Sequence, residues 1–160
     1  MNQVEIPFEK PYRYVMDTSV LIDIQQQFSR DVFKSLWKNL EQAAKDEIVI
    51  FVKQTEWELW RHSVILAEWV SQFPLYQAMS EEQAFIGQLQ EDYPDLIDWN
   101  ATNIEYADPY LISCAYHNNI TIVTQEKWNK SKAKIPTVSK DFGIPCIKLN
   151  TFFIDIGWEF

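Results

Sequence analysis

The run Glu47–Val52, EIVIFV, decides how the fold is read. After Glu47, five apolar and mostly β-branched residues follow without interruption, the pattern of a strand buried on both faces, as in a parallel sheet. Residues 120–124, ITIVT, repeat that character, and residues 12–16, YRYVM, form a shorter version near the N-terminus. Between these runs the period becomes helical. A helix over about 30–45 places Val32, Phe33, Leu36, Trp37 and Leu40 on one face, and residues 55–72 form another with Trp57, Trp60, Val64 and Trp69 as its core flank. Ser80-Glu81-Glu82-Gln83 has capping-box spacing for a further helix, and Asp108-Pro109 opens one that stops at Asn118-Asn119. A weak strand over 95–100, a helix over 137–142, a strand in PCIKL and a last short helix complete the order. Strands alternating with helices predict a three-layer α/β/α domain with a mainly parallel sheet of about five strands.

The chain has 160 residues, three glycines, no Pro/Ser-rich linker and no internal repeat, so one domain over 1–160 is expected, with 1–11 as an N-terminal extension. Cys114 and Cys146 lie in apolar surroundings and read as free thiols of a reducing compartment. No signal-like apolar core and no apolar run near the roughly 20 residues of a membrane span is seen, and a cytoplasmic protein is expected. The charge is −9, and no Lys or Arg falls between Arg61 and Lys127. Such a field repels nucleic acid unless cations or a basic partner intervene.

Four acids follow or adjoin the strong strands, each with a plain structural explanation available. Asp17, in YVMDTSVLID, suits a helix N-cap. Thr55-x-x-Glu58 fits a capping box, Asp108 before Pro109 fits an N-cap, and Glu126 fits a solvated loop. Their placement argues for more. Ligands of open parallel sheets bind beyond the carboxyl ends of the strands, where these residues would converge if the strands are neighbours. Clustered carboxylates repel unless a cation neutralises them, and hard oxygen donors without clustered His or Cys select Mg²⁺ or Mn²⁺ over zinc. Asp23 and Glu105 read as surface or capping acids, and His62 and His117 as structural.

YVMDTSVLID, TEWELW, ADPYLISCAYHNNITIVTQE and KIPTVSKDFGIPCIKL together resemble the PIN-domain nucleases, and more closely a prokaryotic PIN-like branch of unassigned function. The likeness runs from about Tyr12 to the end. It implies an acidic pocket for Mg²⁺ or Mn²⁺ built from Asp17, Glu58, Asp108 and Glu126, the last replacing a family aspartate with a side chain one methylene longer. Thr18 or Ser19 matches the small hydroxyl residue beside the first aspartate. The implied activity is metal-dependent endoribonucleolytic hydrolysis leaving a 5′-phosphate, as the toxin of a toxin–antitoxin pair with a small antitoxin partner and a possible homodimer. Substrate contacts are expected from Lys127, Trp128, Lys130, Lys132 and Lys134, a basic loop with one indole beyond Glu126. The rival expectation is a catalytically inactive PIN-like scaffold that binds a partner, which the acidic charge and Glu126 favour. Another doubly wound phosphoryl-handling domain is disfavoured, because no Gly-rich phosphate loop is present.

Overall fold

Side chains of the central strands divide between two cores. In the computed structural model, which describes residues 10–97, 106–128 and 134–160, β1 (Tyr14–Met16) sends Tyr14 and Met16 to one side and Val15 to the other. β2 (Val49–Val52) sends Val49 and Phe51 one way and Ile50 and Val52 the other. Successive strand residues point to opposite faces, so an unbroken apolar run belongs between two apolar layers.

From β1 the chain continues through α1 (Thr18–Gln27) and α2 (Lys34–Lys45) to β2. It then runs through α3 (Lys53–His62), α4 (Val64–Val70), β3 (Leu75–Tyr76), α5 (Ser80–Asp92) and a 3-10 turn at Pro94–Leu96. α6 (Ala107–Asn118), β4 (Thr121–Val123), α7 (Ile135–Asp141), β5 (Cys146–Ile147) and α8 (Leu149–Ile156) complete it. The sheet has five strands in the order β3-β2-β1-β4-β5, every neighbouring pair parallel. α1, α2, α4 and α8 cover one face, and α5, α6 and α7 the other. This is the three-layer α/β/α architecture with an all-parallel sheet.

The order contains one reversal. The chain builds outward from β1 to β3, then crosses back to lay β4 and β5 on the other side of β1. The switch point lies at the carboxyl ends of β1 and β4, the place where doubly wound sheets bind their ligands. Asp17 N–H donates to the Val123 carbonyl at 2.9 Å, carrying the ladder one residue past β1 and holding Asp17 against the end of β4.

Several boundaries differ from expectation for identifiable reasons. The helix expected over 55–72 is two helices, broken where Ser63 turns extended and its hydroxyl accepts from Leu66 N–H at 3.3 Å. Trp57 and Trp60 are accordingly exposed rather than core, whereas Trp37 and Trp69 are buried and meet edge to face. Val32 lies before α2 and is exposed. The Ser80–Gln83 box is replaced by one residue earlier: Glu82 accepts the Met79 N–H at 2.8 Å. Pro94–Leu96 is a 3-10 turn rather than the start of a strand, and 98–100 lie outside the described residues. Asn119 does end α6, in the left-handed conformation that asparagine tolerates. Both cysteines are unpaired, and among the described residues no helix is long and apolar enough to cross a membrane.

Candidate functional site

Three carboxylates are buried at this end of the sheet: Asp17 at 4% exposure, Glu58 at 4% and Asp108 at 5%. Asp17 occupies the N-cap position of α1 with extended backbone, yet its side chain makes no capping bond. Its Oδ2 instead accepts from Ser19 Oγ at 2.7 Å and from Thr124 Oγ1 at 2.8 Å. Asp17 starts the helix by position, and its carboxylate is turned to the end of β4.

The Thr55–Glu58 capping box is not formed, because both residues lie inside α3. Glu58 Oε2 accepts from Thr18 Oγ1 at 2.6 Å, and Oε1 accepts the Ala107 N–H at 2.8 Å. One side chain thus ties α3 to the first turns of α1 and α6. Of the two hydroxyls expected near Asp17, Ser19 serves that acid and Thr18 serves Glu58. Nor is Asp108 a cap, since Tyr106 holds that position and Asp108 lies in the first turn of α6. An acid there is favoured by the helix dipole.

Glu126 is half-buried rather than a solvated loop charge. Its N–H donates to Thr124 Oγ1 at 3.1 Å, and its Oε2 accepts the Ile135 N–H at the start of α7 at 3.2 Å. Two sets of bonds meet here: the Glu126 N–H and the Asp17 carboxylate share Thr124 Oγ1, and the Glu58 carboxylate spans Thr18, next to Asp17, and Ala107, next to Asp108. Thr124 was missed in the sequence. Its signal was available, a hydroxyl residue ending an apolar strand in the same position that Asp17 takes after β1.

The electrostatic character of this edge is felt by Cys146 on β5. Burial pushes its thiol up to about 11, and the carboxylates of Glu126 and Asp17 push in the same direction. In kind, the carboxylate donors suit a hard divalent cation. In arrangement, no three His, Cys, Asp or Glu side chains among the described residues are gathered as a metal-holding group. The acids are held instead by hydroxyl and amide donors.

The basic loop is only partly in view. Lys127 and Trp128 are exposed beyond Glu126, while Lys134 donates to the Asp95 carbonyl at 3.0 Å. Lys130, Lys132 and Glu105 lie outside the described residues. Asp23 accepts from the Gln125 amide at 3.0 Å, a surface bond that braces the loop after β4. His117 stands at the end of α6 with Nδ1 2.9 Å from the Ser113 carbonyl, a structural setting.

Comparison with known proteins adds family membership. No curated protein matches the chain. The crystal structure of PAE2754 from Pyrobaculum aerophilum aligns with 82% of this chain and 97% of its own at 13% identity, with a TM-score of 0.45. The family model described as Domain of unknown function (DUF4411) matches residues 14–160, from the first strand through the last helix and across the four acids. The chain belongs to the DUF4411 family.

Proposed function

We propose that the protein is a PIN-like, metal-dependent endoribonuclease that hydrolyses RNA phosphodiesters at the acidic end of its sheet. The observation that supports this reading is the burial of Asp17, Glu58 and Asp108 near the reversal of strand order, with the Asp17 and Glu58 carboxylates held by donors from neighbouring elements. Carboxylates brought close to one another repel, and a Mg²⁺ or Mn²⁺ ion is the neutralising group that hard oxygen donors would select if these acids draw together around it. Asp17 and Asp108 would hold it, with Glu58 and Glu126 beside them. Such an ion supplies Lewis-acid polarisation of a phosphoryl oxygen and activation of water. Ser19 and Thr124 restrain the Asp17 carboxylate, and Thr18 with the Ala107 N–H restrains Glu58. Pre-set donors of this kind reduce the reorganisation that chemistry requires.

The setting proposed is cytoplasmic, as the toxin of a toxin–antitoxin pair. Two unpaired cysteines fit a reducing compartment, and the charge of −9 fits a small basic antitoxin. A homodimer is part of the same proposal. One observation favours a second reading, a catalytically inactive scaffold: Glu126 is committed to the first turn of α7, and no three acids among the described residues are gathered.

Calorimetric titration of Mn²⁺ into wild type and Asp17→Asn, followed by incubation of both with labelled RNAs, decides between them. Metal binding and EDTA-sensitive cleavage that disappear together in the variant are expected. A folded wild-type protein that binds no metal and cuts no RNA, with or without a co-purified partner, would leave the scaffold.

A further inference from the structure

Glu58 also forms one wall of a cavity of about 370 Å³ between α3 and α6, lined further by Gln54, Trp57, Arg61, Tyr106 and Tyr110. A second hollow of about 280 Å³ shares Gln54, Trp57 and Tyr110 and continues the groove towards Lys53 and Gln77. Two features of this groove lack a structural explanation. Trp57 is 53% exposed on α3 and lines the groove, while Leu59 of the same helix is buried in the core. Gln54 Oε1 is buried without a hydrogen-bond partner among the described residues. Arg61, a cationic side chain of the wall, stands over the Tyr106 ring at 6.0 Å.

We propose that this groove is a subsite for an unpaired nucleobase of the RNA substrate, a reading that rests on the nuclease assignment above. An exposed indole flanked by tyrosines offers a stacking platform, which accepts any base face. The Gln54 amide, and that of Gln90 at the cavity wall, carry both donors and acceptors, as base edges do. Arg61 supplies charge for a phosphate, and Glu58 sets the cavity directly beside the acids. Bases inside a duplex cannot reach such a platform, so the substrate is single-stranded here. The net charge of −9 opposes phosphate contacts, and stacking on a base is a contribution that depends little on that field.

The test measures binding by fluorescence anisotropy in EDTA, where nothing is cut. The probes are a labelled, unstructured RNA pentamer, a duplex of the same composition, adenosine and ribose 5-phosphate. The wild type is expected to bind the pentamer over the duplex with little salt dependence, and adenosine to compete where ribose 5-phosphate does not. Trp57→Ala should weaken pentamer binding about tenfold while Trp57→Phe stays within about twofold, with both folded by circular dichroism. Equal pentamer affinity in wild type and Trp57→Ala overturns the proposal, as does competition by ribose 5-phosphate equal to that of adenosine. A wild type that binds no pentamer, its groove taken up by a protein partner, overturns it too. Adenosine competition is read on wild type and stands even if Trp57→Ala fails to fold. Trp57-dependent binding without Mn²⁺-dependent cleavage keeps the subsite and removes the nuclease reading. Cleavage that is unchanged in Trp57→Ala at limiting RNA does the reverse.

Discussion

Glu82 and Asp17 are both buried carboxylates with several donors, yet they do different things. Glu82, wholly buried at the start of α5, accepts the Met79 N–H at 2.8 Å, the Tyr76 hydroxyl at 2.7 Å and the Ser113 hydroxyl at 2.8 Å. Those donors come from its own helix start, from β3 and from the middle of α6, so the carboxylate pins α5 and α6 to the edge strand of the sheet. Burial, and then the bond to Glu82, push the Tyr76 phenol well above its usual range. Asp17 is held by hydroxyls too, but they come from the residues that follow β1 and β4, beyond the ends of the strands. Burial and hydrogen bonding are common to both regions. Position relative to the sheet separates them: Glu82 closes a packed layer, and Asp17 lies at the strand end where the strand order reverses.

That contrast is most easily broken at its ends. Asp17→Asn keeps the shape and removes the charge, and cleavage should fall on the order of 10³-fold, roughly 4 kcal/mol, with stability little changed. A single-turnover assay beside a urea melt reads both, and a stability loss without loss of cleavage would erase the distinction. Glu82→Ala should show the opposite profile. It leaves Tyr76, Ser113 and the Met79 N–H without this acceptor, a cost of about 3 kcal/mol in denaturant unfolding. Cleavage per folded molecule should stay at the wild-type level.

Thr18→Val tests Glu58. Loss of the hydroxyl bond to Glu58 should cost about 1–1.5 kcal/mol, read as roughly a tenfold drop in cleavage with metal affinity weakened in parallel. If the drop is entirely in stability, Glu58 belongs with Glu82 as a structural acid.

The smallest effect concerns Cys146. Its folded thiol titrates at about 11 against an ordinary value of 9.0, so the folded state keeps the proton longer than the unfolded chain. The stability from this group is complete below pH 9.0 and drains away as the pH rises towards about 11. Because Glu126 and Asp17 contribute to the rise, either Asp17→Asn or added Mn²⁺ should speed alkylation of Cys146 at pH 9. Glu82→Ala, on the other side of the molecule, should leave that rate alone.

Much of the fold was legible in the chain because strand and helix signals are local. EIVIFV and ITIVT hold both faces apolar, which a parallel sheet requires, and Asn119 marks the stop of α6 within its own turn. The strand β3 was not legible: Leu75–Tyr76 is two residues long, and only pairing with Phe51 and Val52 makes it a strand. The outward turn of Trp57 and Trp60 was hidden for a related reason. Aromatic residues at helical spacing look like core until neighbouring helices take up the interior positions.

The four acids could be picked out by their places after strands, but their partners could not. Thr18 and Glu58 are 40 residues apart and Thr124 and Asp17 are 107 apart, so no local pattern says which hydroxyl serves which carboxylate. The sequence by itself determined a parallel α/β domain with acids near its strand ends, since apolar periodicity is written residue by residue. Tertiary structure alone decided that Glu58 joins α1 to α6, that Glu126 is drawn to α7 and that Thr124 restrains Asp17. Hydrogen-bond partners are chosen by proximity in space, and that proximity exists only after the sheet has closed its order around β1.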